Sequence, residues 1–332
     1  MSCSDIDFVV TWVDNSDPQW QNEFEQYKTD TVANEENSHI RYSEHGLLRY
    51  WFRGVEKFAP WVRKIHFVTN GQYPAWLNLN NSKLHFVRHS DYIDSKYLPL
   101  FNSHPIENNL HRIEGLSDKF VYFNDDIYII SETNASFFFK NNLPCDAAIM
   151  TKIPSPPTDA YFGAITNDIK LINKFFNESE CVKRNITKWL NFRYGVRFII
   201  PPLIITSNGR FPGLKNHHSA QAYLKSTFEE VWHHCHCELE RTNKSRFRSK
   251  NDISHLLFRY WQIAQGNFYP TFLRRQRHYF DIDKDIDKII DSILKQKDNL
   301  ICINDASNSD SQYCRVVKAL DIILNEKSSF EL

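Results

Sequence analysis

The chain has no net charge: 40 Lys and Arg stand against 40 Asp and Glu in 332 residues. No field therefore draws it to nucleic acid or to an anionic membrane, and its basic residues are dispersed rather than striped. Glycine is scarce, with nine in all, and neither GxGxxG nor the P-loop pattern occurs, which argues against a glycine-rich loop wrapped round a phosphate. The cysteines (Cys3, Cys145, Cys181, Cys235, Cys237, Cys302 and Cys314) are scattered and odd in number. That usage reads as reduced thiols of a cytosolic protein, not as a disulfide framework. No apolar run approaches the ~20 residues of a membrane span. Met1 to Asp7 form neither a basic nor an apolar leader, so the expectation is a cytoplasmic protein.

What is abundant is aromatic surface, at 14% of residues, which suits a deep core and sugar or base stacking alike. Short apolar runs at Ile6 to Val13, Lys64 to Thr69, Leu84 to Val87 and Phe120 to Phe123 read as strands. Leu47, Leu48, Trp51, Phe52, Val55 and Phe58 fall at helical spacing until Pro60 ends the pattern. Residues 19–40 predict a helix and a loop, and His104 to Leu116 a further helix. This alternation predicts an α/β fold with a mostly parallel sheet covered on both faces, in which ligands bind beyond the carboxyl ends of the strands. Later, Ile169 to Phe176, Ala220 to Trp232, Ile253 to Ile263 and Ile282 to Leu294 predict helices, and Leu300 to Ile303 a strand.

Polar residues stand at three strand exits: Asp14, Asn70 and Asn124–Asp126. The adjacent Asp125 and Asp126 repel each other, and a hard cation such as Mg²⁺ carrying a diphosphate would offset that; Asn-Asp-Asp is also good chemistry for a solvated turn. A second polar cluster is Lys215-Asn-His-His218 before a predicted helix. His218 is a base for neutral pH or simply a helix-entry residue. Arg248 and Asp252 share a face if their segment is helical. The planar fork of Arg248 could then clamp phosphate oxygens, or belong to a solvated basic surface. His233-His-Cys-His-Cys237 lacks the spacing of a zinc site and reads as a polar helix end. Trp12, Trp61 and Trp76 read as core more than as stacking platforms.

Taken together, these segments resemble the Stealth family of sugar-1-phosphate transferases. The resemblance rests on Ile6-Asp-Phe-Val-Val-Thr-Trp-Val-Asp-Asn-Ser-Asp-Pro18, Val55-Glu-Lys-Phe-Ala-Pro-Trp61, Phe67-Val-Thr-Asn-Gly-Gln72, His111-Arg-Ile-Glu-Gly-Leu116 and Phe123-Asn-Asp-Asp126. His218 to Tyr260 resembles a third family region, and Cys302-Ile-Asn-Asp305 a fourth. Arg41-Tyr-Ser-Glu44 departs from the family's Arg-Phe-Arg-Asp, and Leu47 replaces a glutamate.

The resemblance implies a Rossmann-like sheet related to the GT-A-like nucleotide-sugar transferases, with helical insertions, in a single catalytic domain over 1–332. Within it, 1–135 would bind the nucleotide sugar, 136–212 would shape the acceptor site, and 213–332 would complete the active site. It implies transfer of a hexose-1-phosphate, an N-acetylhexosamine-1-phosphate above others, from a UDP-sugar to a glycan hydroxyl, with release of UMP. Mg²⁺ or Mn²⁺ would be held by Asp126 with Asp125 or Asp305. Asp7 and Trp12 would belong to the donor strand, joined by Asn70. Arg248 and Arg41 would offset phosphate charge, and His218, with Asp125 as competitor, would be the base. The partners would be a nucleotide-sugar donor and an oligosaccharide or lipid-linked acceptor, with no nucleic acid. Peripheral association with polysaccharide assembly at the inner face of the plasma membrane is expected. A glycosyltransferase releasing UDP and a non-catalytic glycan-binding assembly protein are the alternatives.

Overall fold

The computed structural model describes residues 5–28, 45–195, 209–272, 277–304 and 310–332. Arg41, Glu44 and Asp305 lie outside the described residues. In chain order the strands are β1 (Ile6–Thr11), β2 (Ile65–Thr69), β3 (Leu84–Arg88), β4 (Lys119–Phe123), β5 (Ile127–Ile129), β6 (Phe139–Lys140), β7 (Leu143–Asp146), β8 (Gln221–Leu224), β9 (Tyr269–Pro270), β10 (Arg277–Asp281) and β11 (Leu300–Asn304).

The main sheet has the order β3-β2-β1-β4-β8. Its first four strands are parallel, and β8 closes the edge antiparallel to β4. Ile6 to Val10 are all buried, as a central strand covered on both faces requires. Successive side chains feed two cores: Phe8, Val10, Phe67, Val121 and Phe123 one, and Val9, Val68, Phe120 and Tyr122 the other. The helices Leu48–Phe58, Ile282–Lys295 and Asp310–Ile323 pack into the first core. Ala160–Phe175, Lys225–His234 and Leu256–Gln265 pack into the second.

Helix and strand alternate less regularly than the sequence predicts. Between β3 and β4 the helical pieces are short, Ser103–Asn108 among them, and the second face is covered by helices from the later half of the chain. Gln221–Leu224, expected to open a helix, instead pairs with β4, and helix begins only at Lys225. No helix of the described residues is long and apolar enough to cross a membrane.

After Phe123 the chain leaves the main sheet, turns through Asn124–Asp126, and enters a three-stranded sheet of order β10-β11-β5. Ile127 N donates to Asn124 O at 3.2 Å, and Ile303 N to Asp126 O at 2.9 Å, so the acidic turn is pinned between two sheets. The helix Leu48–Phe58 holds β5 from behind. A Cβ added at Gly54 would stand 2.5 Å from the Ile129 carbonyl oxygen. Gly54→Ala is therefore expected to cost about 1–3 kcal/mol from overpacking, despite the ~1 kcal/mol advantage of alanine in a helix. Denaturant unfolding measures it, and a variant as stable as the parent would contradict this close approach.

Candidate functional site

β8 runs against β4, so its entry stands at the carboxyl edge of the parallel strands. This topology carries His218, three residues before Gln221, to the acidic turn, where its Nε2 lies 3.0 Å from Asp126 Oδ2. Burial alone would lower the imidazole pKa. The charge and hydrogen bond of Asp126, aided by Glu107, outweigh burial and the opposing Arg248, and raise it above 6.5. The side chain remains 43% exposed. Tyr279 of β10 meets the ring edge-on at 5.6 Å.

Cys302 of β11 sits 3.2 Å from the same Asp126 Oδ2. Burial, then the charges of Asp126 and Asp125, raise the thiol well above its ordinary pKa, so it stays protonated and donates to the carboxylate. Asp126, His218 and Cys302 present ligand atoms all within 4.8 Å of one another. A protonated thiol is a poor partner for a hard cation, so the oxygen donors decide the fit. Asp126 Oδ1 is buried without a hydrogen-bond partner among the described residues, and Asp125 adjoins it in sequence. An orphaned carboxylate oxygen in an acidic turn fits Mg²⁺ or Mn²⁺.

A buried network that the sequence did not reveal backs this cluster. Thr11 Oγ1 lies 3.0 Å from Tyr122 OH, and Tyr122 donates to Glu107 Oε1 at 3.0 Å. Glu107 Oε2 lies 4.0 Å from His255 Nε2, and His255 Nδ1 is 2.7 Å from Tyr223 OH. Burial would raise the Glu107 pKa, but His255, His104, Arg248 and the Ser103 hydroxyl lower it below the ordinary value, so it stays ionised. Burial lowers the His255 pKa against the pull of Glu107, which keeps that ring neutral near pH 7. The sequence signal was the polar set His104, Glu107, Asn108 and Asn109, in the segment His104 to Leu116, read only as a helix.

Arg248 does not lie on a helix, so it shares no helical face with Asp252. Its Nη2 donates to Ser103 Oγ at 3.1 Å, and its charge reaches both Glu107 and His218. The turn that carries it is fixed by packing. Phe247 stacks on Phe101 at 5.2 Å, and Asp252 Oδ2 accepts from Ser249 N and Asn102 Nδ2, each at 2.9 Å.

Asp7 is fully buried near the amino end of β1, about 13 Å along the strand from Thr11. Its oxygens accept from Arg63 Nε at 2.8 Å and Ser117 N at 2.8 Å, and His66 Nε2 lies 3.0 Å away. Those partners hold it as a buried charge, and the structure does not bring it to the acidic turn. Trp12 is a core residue at the carboxyl end of β1, tilted on Phe67 at 5.7 Å, with an indole N–H that finds no partner among the described residues. Asn70 is exposed, and its Oδ1 accepts from Gln72 N at 3.2 Å. Gln72 in turn donates to Asp14 O at 2.8 Å and Asp17 Oδ2 at 2.9 Å, clipping two strand exits together. Helix Lys225–His234 ends in the histidines read as its polar terminus.

The pattern described as Stealth protein CR1, conserved region 1, matches residues 4–31. Stealth protein CR2, conserved region 2, matches 41–146, which include Glu107, Asp125 and Asp126. His218 and Arg248 lie outside both matches. The capsular polysaccharide phosphotransferase WcwK of Streptococcus pneumoniae is 40% identical over 332 residues, covering 98% of each chain. The receptor polysaccharide phosphotransferase WefC of Streptococcus oralis is 38% identical over 98% of this chain and 99% of its own. The exopolysaccharide phosphotransferase cps2G of Lactiplantibacillus plantarum is 34% identical over 98% of this chain and 96% of its own. Among solved structures, a galactosyltransferase LgtC complex with donor and acceptor sugar analogs aligns over 97% of this chain and 96% of its own, at 10% identity and a TM-score of 0.43, too loose a likeness to carry an argument.

Proposed function

Because the chain belongs to the Stealth family and is a polysaccharide phosphotransferase, we propose that it moves an N-acetylhexosamine-1-phosphate from a UDP-sugar to a glycan hydroxyl and releases UMP. The contact between His218 and Asp126 at the carboxyl edge of the sheet is the observation that carries this proposal. The acceptor oxygen bonds to the β-phosphorus, and the bond from that phosphorus to the bridging oxygen breaks, with UMP taking the electron pair. The anomeric C–O bond is untouched, so the sugar keeps its configuration.

Phosphoryl transfer asks mainly for positioning and charge neutralisation. His218 gives its Nε2–H to Asp126, which fixes the tautomer and leaves Nδ1 to take the acceptor proton. The imidazolium so formed is stabilised by the same carboxylate. Arg248 supplies positive charge beside His218. A Mg²⁺ or Mn²⁺ held by Asp126 and Asp125 would neutralise the donor diphosphate when bound. The protein works on the cytoplasmic side of the membrane, alongside polysaccharide assembly.

Incubating the protein with UDP-N-acetylhexosamine, Mg²⁺ and acceptor oligosaccharide, and identifying the nucleotide released, tests the proposal. UMP with a new ³¹P phosphodiester resonance is the expected result. UDP would mean attack at C1 and a glycosyltransferase, and would overturn the phosphotransfer step.

A further inference from the structure

Beside the catalytic cluster opens a cavity of about 390 Å³, lined in part by Ser136, Phe137, Lys140, Arg193, Thr271 and Arg277. Three cations converge there with little to balance them. Lys140 and Arg193 both lie over the ring of Tyr269, at 5.5 and 5.4 Å, and are exposed. Arg277 packs over Phe137 at 4.3 Å and, among the described residues, donates to carbonyl oxygens alone, Phe137 O at 3.1 Å and Ala220 O at 3.4 Å. Asp146, the carboxylate whose charge reaches Arg277, is already held by Arg259 at 2.8 Å. Burial pushes the Arg277 guanidinium down to about 10, against the opposing charges of Cys145 and Asp146. Among the described residues none of the three cations joins a salt bridge. Ser136 and Thr271 add hydroxyls to the wall, and Phe137 and Phe272 give it apolar surface.

Arg277 ties the cavity to the residues around His218. Ala220, which Arg277 touches, lies two residues beyond His218, and Tyr279, two residues along β10 from Arg277, meets the His218 ring. The donor diphosphate belongs at the acidic turn, so an anion here comes from the other substrate. We propose that this cavity is an acceptor subsite that binds a phosphate ester already present on the acceptor glycan. The ester is either a phosphodiester of the growing polymer or the diphosphate of a lipid-linked glycan. Naming the ligand as acceptor rests on the phosphotransferase reading; the capture of an anion by the three cations does not.

The test titrates the protein calorimetrically, in the presence of a metal chelator, with three probes. They are a disaccharide, two such sugars joined by a phosphodiester, and the disaccharide on a short prenyl diphosphate. At least one phosphate-bearing probe is expected to bind ~10-fold or more tighter than the neutral one, the size of a charge-assisted hydrogen bond. The tighter of the two identifies the source. Lys140→Ala combined with Arg193→Ala, both at exposed positions, is expected to abolish the difference. The same variant is expected to raise the acceptor KM while leaving the donor KM in place. Equal binding of all three probes, or unchanged discrimination by the double variant, would overturn the subsite. Release of UDP in the transfer assay would overturn phosphotransfer and leave the binding result standing.

Discussion

His218→Gln is expected to lower turnover by ~10²–10⁴-fold, the usual loss when a positioned base is removed. Glutamine can still donate to Asp126 Oδ2, 3.0 Å from the native ring nitrogen, so the acidic turn keeps its partner while the proton acceptor is gone. The side chain is half-exposed, so folding should be unaffected and the loss should fall on kcat, with the donor KM little changed. Asp125→Asn separates the competing assignment. If Asp125 were the base, His218→Gln would retain near-parental turnover and Asp125→Asn would carry the large loss. If His218 is the base, Asp125→Asn weakens donor and cation binding instead. Steady-state kinetics with both substrates varied decides between them.

The strands of the sheet were legible because each is a short run of β-branched and aromatic residues ended by polar turn chemistry. Ile6–Thr11, Ile65–Thr69 and Lys119–Phe123 sit within a residue or two of their expected places. The acidic turn was legible for a related reason, since Asp125 and Asp126 interrupt an apolar stretch where nothing in the core can use them. What escaped was whatever depends on contacts distant in sequence. Gln221–Leu224 has helical spacing, but its backbone groups pair with β4, and that pairing determines where His218 goes. Arg248 and Asp252 are four apart, yet Asp252 is tied to Asn102, 150 residues away, and no helix forms. Asp7 drew a functional reading from the family resemblance. Only the fold shows that it lies at the amino end of its strand, saturated by Arg63, His66 and Ser117. Glu107 and Cys302 were missed because a buried carboxylate and a buried thiol look, in sequence, like any helix or strand residue.

Asp146→Ala is expected to destabilise the protein by about 3–5 kcal/mol, because it strands a buried charge. Asp146 ends β7 and is fully buried; Arg259 Nε and Nη2 grip its two oxygens at 2.9 and 2.8 Å, and Gln221 of β8 donates to it at 3.1 Å. Burial disfavours the guanidinium charge, and Asp146 more than restores it. Replacing both partners, Asp146→Leu with Arg259→Met, is expected to recover most of the stability, since an apolar pair pays no desolvation. Turnover should not recover with it. Arg259 Nη1 also donates to Asn216 Oδ1 at 3.1 Å, beside Tyr260 OH at 2.7 Å. Asn216 stands two residues before His218, so the helix Leu256–Gln265 holds the loop that delivers the base. Thermal unfolding and kcat measured on both variants separate the two roles. A double variant that regains stability and full turnover together would show that Arg259 braces the core without positioning His218.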